Sequence, residues 1–184
     1  MRSALETVFS ATSLFKEISI MATKYHYPAI TADAFVFCEH NNSLYLLLVK
    51  RKNPPFQNCW AVPGGFMDEE EPIVDCAARE LDEETGLSNI RLTEFAVFST
   101  PGRDPRGRVI TIGFISVLKG TLPGVTGGDD AAEAKWFQTN HLPELAFDHK
   151  ECVTSAFCFL KERDRLGDPE RIFPPAFNHK RIYF

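Results

Sequence analysis

Apolar positions along this chain repeat with two periods, and the changes of period mark out its elements. Residues 29–38 (AITADAFVFC) are rich in β-branched and aromatic side chains and read as a strand. Asn41-Asn42-Ser43 is a turn, and residues 44–49 (LYLLLV) form an unbroken apolar run suited to a strand covered on both faces. Asn53-Pro54-Pro55 ends that element. A short strand at residues 60–62 leads into Gly64 and Gly65. Residues 91–100 and 109–118 read as two strands of a hairpin with a long tip, PGRDPRGR, and residues 132–138 as one more strand. Two stretches carry the helical period instead. In residues 72–85, Ile73, Val74, Ala77, Ala78 and Leu81 share an arc expected to face the core. In residues 150–166, Val153, Ala156, Phe157 and Leu160 repeat at i, i+3, i+4 and i+7. Pro72 suits a first helical turn, where its missing N–H costs nothing, and Gly86 a left-handed cap. Strands that outnumber two well-separated helices predict an α/β protein, a mixed sheet with helices on both faces.

Length and charge narrow this further. The chain has 184 residues, which predicts one domain: a leader over 1–24, disordered or a short amphipathic helix, then a unit over 25–184 whose tail is irregular from about 167. A net charge of −5 argues against nucleic acid as a partner. No apolar run reaches membrane-spanning length. The five cysteines form no paired framework, and the first 20 residues lack a secretory pattern, so a reducing, cytoplasmic setting is expected.

The candidate chemistry lies in residues 64–87, GGFMDEEEPIVDCAARELDEETGL. Glu80, Glu83 and Glu84 stand at i, i+3 and i+4 and crowd one helix face, with no lysine at i+4 to dilute them. A solvated acidic face is one reading. The other is a cluster of hard oxygen ligands for Mg²⁺ or Mn²⁺, which would offset the repulsion. Glycines at 64 and 65 let backbone approach that cluster. Arg79 is expected to pair with an acid such as Glu71, and Cys76 to pack rather than ligate.

Read as spacing, the stretch is Gly65, five residues, Glu71, seven residues, Arg79-Glu80-Leu81, one residue, Glu83-Glu84, one residue, Gly86-Leu87. This closely resembles the signature box of the Nudix hydrolases, and with its flanks the resemblance covers roughly residues 25–166. It implies a Nudix-like α/β/α sandwich around a mixed sheet, and hydrolysis of a diphosphate linked to another group. It makes Glu80, Glu83, Glu84 and the carbonyl of Gly64 the metal ligands, with Mg²⁺ or Mn²⁺ as cofactor, and gives Arg79 and Glu83 catalytic roles. The base that activates water is Glu83 or a loop acid outside the box: Asp129, Asp130 or Glu133. Pro101, with the segments PGRDPRGR, LLLVKRKNPPF and GDDAAEAKWF, also resembles the ADP-ribose pyrophosphatase branch.

That resemblance offers Arg51, Arg103, Arg106 and Arg108 as phosphate or ribose contacts, against the plainer reading of a solvated hairpin tip and a rim charge. Trp60, Phe66 and Trp136 are open to stacking on adenine or to core packing. The implied partner is a small-molecule nucleotide, and a homodimer is admitted. Two alternatives stand beside ADP-ribose hydrolysis. One is another nucleotide substrate: a triphosphate, a dinucleoside polyphosphate or a nucleotide sugar. The other is a non-catalytic ADP-ribose sensor, a reading that expects a winged-helix module where 18 residues follow Leu166.

Overall fold

The structure, a computed structural model, describes residues 27–166; the expected leader and the tail from 167 lie outside the described residues. The described residues run β1 (Ala29–His40), β2 (Ser43–Arg51), β3 (Trp60–Ala61), β4 (Gly64–Phe66), α1 (Ile73–Thr85), β5 (Thr93–Phe98), β6 (Val109–Lys119), β7 (Ala131–Gln138) and α2 (His149–Arg165).

β1 is the centre of the sheet. One edge of it runs parallel to β6 from Ala29↔Val109 to Glu39↔Lys119. Its other edge is divided. The C-terminal end pairs antiparallel with β2, from Phe37↔Leu46 to His40↔Ser43, through a tight turn in which Asn41 and Asn42 both take positive φ, as primed hairpin turns require. The N-terminal end pairs with β4, Thr31↔Phe66 to Asp33↔Gly64. β2 pairs with β7 along its length and with β3 at Val49 and Lys50. Strands β1 and β2 therefore diverge after a short contact. The segment 60–66 fills the notch, giving β3 to one strand and β4 to the other. β5 pairs antiparallel with β6, so residues 91–100 and 109–118 do make the expected hairpin, with β5 trimmed to Thr93–Phe98.

Successive side chains of β1 point to opposite faces and meet different helices. Phe35 and Phe37 pack on Cys152, Val153, Ala156, Phe157 and Leu160 of α2, all buried. Ala32, Ala34 and Val36 face α1, where Cys76, Ala77 and Leu81 are buried. Small residues on both sides, Ala32 against Cys76 and Ala77, bring that helix close to the sheet. The result is the helix–sheet–helix sandwich expected from the sequence. The aliphatic residues of LYLLLV are buried as foreseen, with Tyr45 half-buried, since β2 has strands on both edges and helices beyond both faces.

The arc of α1 differs from the expected one. Val74 and Ala78 are exposed, and the buried side consists of Cys76, Ala77, Leu81, Glu84 and Thr85. The helix is rotated toward its acidic edge because Glu84 is drawn inward by the backbone N–H of Gly64. A hydrophobic count could not register that contact. The glycine approach is likewise not a simple turn: Gly64 and Gly65 belong to β4.

Candidate active site

The notch between β1 and β2 opens into a cleft of about 260 Å³. Its acidic wall is built by β4 and α1. Gly64, at φ +155°, has no room for a side chain: a Cβ would collide with the Ala32 carbonyl and Asp33. At Gly65 a Cβ would land on the Glu80 carboxylate. Two residues without side chains thus let the helix carboxylates lie against strand backbone.

Arg79 organises these acids. Its Nε and Nη2 donate to both oxygens of Glu71, at 3.1 and 2.6 Å. Its Nη1 donates to Glu80 at 2.8 Å and to Glu83 at 3.0 Å, and Nη2 also reaches the Phe66 carbonyl. All five guanidinium donors are engaged. The Arg79 hydrogen bonds hold Glu71 down to a pKa of about 2. Glu84 stands apart: it is 8% exposed, and it accepts the Gly64 N–H at 3.0 Å. Burial pushes its pKa up to about 8, reinforced by Glu80 and Asp33. Glu80 is also raised by burial, against the pull of Arg79.

Among the described residues no three Asp, Glu, His or Cys side chains are gathered at metal-ligand spacing. Glu80 and Glu83 close on the Arg79 guanidinium instead. The chemistry of the donor set nevertheless fits a hard divalent cation. The donors are oxygens alone; Glu84 is buried and Glu80 half-buried, and burial raises both pKa values, a cost that the charge of a cation would offset. Cys76 is buried, with its thiol pushed up to about 12 by burial, and its Sγ approaches the Gly65 carbonyl.

The opposite wall is basic. Arg51 ends β2, its Nε donating to the Pro55 carbonyl at 2.9 Å and its guanidinium lying 5.0 Å from the Phe147 ring centre. Arg103 and Arg106 come from the β5–β6 loop. The Arg103 side chain is 5% exposed and donates to both oxygens of Asp148, at 2.9 and 2.7 Å, and to Thr111 Oγ1. Arg106 grips Asp104 and lies over the rings of Phe66 and Phe147, at 4.7 and 5.4 Å. Arg108 does not line the cleft; it donates to the Ser99 carbonyl.

The candidate loop acids separate. Asp129 and Asp130 line the cleft, whereas Glu133 is exposed on β7 and does not. Of the aromatic candidates only Phe66 lines the cleft. Trp60 packs edge-on against Phe137 at 4.6 Å, and Trp136 donates its indole N–H to the Pro123 carbonyl.

Several cleft residues were absent from the sequence reading. Asp33, 6% exposed in the middle of β1, has its pKa pushed up to about 7 by burial. Beside it His149 accepts the Val62 N–H on Nδ1 at 3.0 Å, so the neutral ring carries its proton on Nε2, 3.6 Å from Asp33. Burial lowers His149 to about 4, so the two are not an ion pair at neutral pH. The one available signal for Asp33 was a lone acid inside an otherwise apolar strand. Asp148 and His149 gave none, because their place depends on where α2 docks.

Comparison with known proteins agrees with this architecture. The NUDIX domain family model matches residues 28–156. An ADP-ribose pyrophosphatase from Methanocaldococcus jannaschii is 45% identical over 130 residues, covering 70% of this chain and 73% of that protein. The ADPR responsive transcriptional repressor NtrR of Acinetobacter baylyi is 31% identical over 158 residues, covering 83% of this chain and 63% of the repressor. Among solved structures, the NUDIX domain of Shewanella oneidensis NrtR complexed with ADP ribose superposes with a TM-score of 0.66 at 28% identity, covering 78% of this chain and 92% of that one. A MutT/nudix family protein from Enterococcus faecalis gives 0.70 at 29% identity, covering 89% and 76%. The chain belongs to the Nudix family. It is a hydrolase of that family, with the acidic helix α1 as its signature element.

Proposed function

We propose that this hydrolase splits ADP-ribose into AMP and ribose 5-phosphate with Mg²⁺, or Mn²⁺ in its place. The observation that carries the substrate is the 45% identity to an ADP-ribose pyrophosphatase, sustained over 130 residues, 70% of this chain. Glu80, Glu83, Glu84 and the Gly64 carbonyl would hold the cation, which supplies charge neutralisation at phosphorus and a more acidic water. Arg51, Arg103 and Arg106 supply positive potential on the facing wall, where a diphosphate bridging the cleft meets it. Arg79 keeps Glu80 and Glu83 oriented from behind. The proton leaving the attacking water goes to a carboxylate in reach of the cleft, and Glu83, Asp129 and Asp130 meet that requirement of position better than Glu133.

Two observations favour a second reading, a sensor that binds ADP-ribose without cleaving it: the identity to NtrR and the fold shared with NrtR. The retained box carboxylates weigh against it. The net charge of −5 favours a nucleotide over nucleic acid as partner under the first reading, and the second leaves a nucleic-acid partner open. The test is incubation of purified protein with ADP-ribose and Mg²⁺, with AMP followed by chromatography beside a panel of triphosphates, dinucleoside polyphosphates and nucleotide sugars. ADP-ribose should show the highest kcat/KM. Faster turnover of another nucleotide would replace the substrate, and binding with no turnover of any would leave the sensor.

A further inference from the structure

Asp148 occupies the N-cap of α2, where an aspartate ordinarily turns its carboxylate onto the first free helix N–H groups. Here it makes no such bond. Both its oxygens go to Arg103, forty-five residues earlier in the chain, in a two-pronged ion pair at 2.9 and 2.7 Å. Arg103 spends its remaining reach on the Thr111 hydroxyl and the Cys152 sulfur, at positions on β6 and α2. With a side chain 5% exposed, it has little left to offer a ligand. Arg106, three residues on, has a side chain 40% exposed. Its guanidinium lies over the rings of both Phe66 and Phe147, and Phe147 is the residue just before Asp148. Joining 103 to 148 therefore also joins 106 to 147.

We propose that Arg103 and Asp148 are a positioning pair, which fastens the 101–108 loop to the N-terminus of α2 and so presents Arg106 as that loop's cation to the substrate. This rests on the reading that a diphosphate occupies the cleft. A fork-to-fork pair suits the task, because two parallel hydrogen bonds fix orientation as well as distance. A lysine at 103 would keep the charge and lose the orientation.

The test is a mutant cycle on the full chain. Arg103→Gln and Asp148→Asn should each raise KM for ADP-ribose on the order of 10-fold or more, as displacement of a binding group does. The double variant should be no worse than either single, and Asp148→Asn should add less than about twofold in an Arg106→Gln background. A loss in Arg103→Gln that far exceeds that of Asp148→Asn and multiplies with it would overturn the proposal, since Arg103 would then touch substrate itself. A second arm needs no substrate. Limited trypsin digestion should nick after Arg106 and Arg108 faster in Asp148→Asn than in the parent, and equal rates would also overturn the proposal. Should Arg103→Gln fail to fold, this arm decides alone. If the parent leaves ADP-ribose uncleaved, the substrate reading falls while the trypsin result still judges the pair.

Discussion

Raising the pH should destabilise this protein between about pH 6.5 and 8, and magnesium should oppose the loss. Glu84 has its folded pKa raised from 4.5 to about 8, and Asp33 from 3.8 to about 7, both chiefly by burial. Between its unfolded and folded values such a group is protonated in the native state and ionised in the unfolded chain. The native state then binds more protons, and stability falls as pH rises. His149 works the other way. Its folded value is lowered from 6.5 to about 4, so stability rises with pH across that interval and is indifferent above it. The two effects oppose each other below about 6.5, and the carboxylates act alone above it.

Each full proton of difference is worth about 1.4 kcal/mol per pH unit. Glu84 over most of the window, and Asp33 over its lower part, give a loss of about 2 kcal/mol. A divalent ion binds the ionised acids and stabilises by mass action, so excess Mg²⁺ should flatten the slope. Urea unfolding followed by circular dichroism, at several pH values in EDTA and in Mg²⁺, measures both slopes. Glu84→Gln should remove the larger share of the EDTA slope. A midpoint constant from pH 6.5 to 8 in EDTA, or an unchanged slope in that variant, would refute the reasoning.

Glu83→Gln should cut kcat for the Mg²⁺-dependent reaction by about 100-fold or more, with little change in thermal midpoint because the side chain is exposed. Gly65→Ala should cost at least about tenfold in kcat, and about 1–3 kcal/mol in urea unfolding, because the new methyl meets the Glu80 carboxylate. Titration with a chromogenic disulfide should modify the exposed Cys158 in the native protein and reach the buried Cys76 and Cys152 only after denaturant is added. Chelation with EDTA should abolish hydrolysis and added Mg²⁺ restore it, both read by AMP release.

What could be read from the sequence was whatever local periodicity decides. Val153, Ala156, Phe157 and Leu160 fell on one helical face and are buried together. The i, i+3, i+4 spacing of Glu80, Glu83 and Glu84 placed them beside one another before any fold was known. Gly86 closes α1 in the left-handed conformation, at φ 69°. Val74 was misjudged because its apolarity was weighed without Glu84, a carboxyl group buried against the Gly64 backbone N–H. Asp33, Asp148 and His149 were missed for a different reason. Asp33 stood out only as an acid in an apolar strand, and the other two not at all; their chemistry arises when the start of α2 meets Asp33 of β1, Val62 and Arg103 of the β5–β6 loop.

The two walls of the cleft differ in how they are encoded, and that difference bears on function. The acidic wall comes chiefly from one continuous stretch, 64–84, in which helix phase and two glycines suffice to place the carboxylates. The basic wall draws Arg51, Arg106 and Phe147 from three segments far apart in the chain, held by Asp104, Asp148 and the backbone pairing of residues 145 and 146 with Trp60 of β3. Changes in the loops can therefore reshape the basic wall without disturbing α1. Substitutions at Arg51 or Arg106 should appear mainly in KM and in the ranking of nucleotides, and those at Glu80 or Glu83 mainly in kcat. A substrate panel run on Arg106→Gln tests the division, because a uniform fall in kcat with an unaltered ranking would place Arg106 with the reacting groups instead.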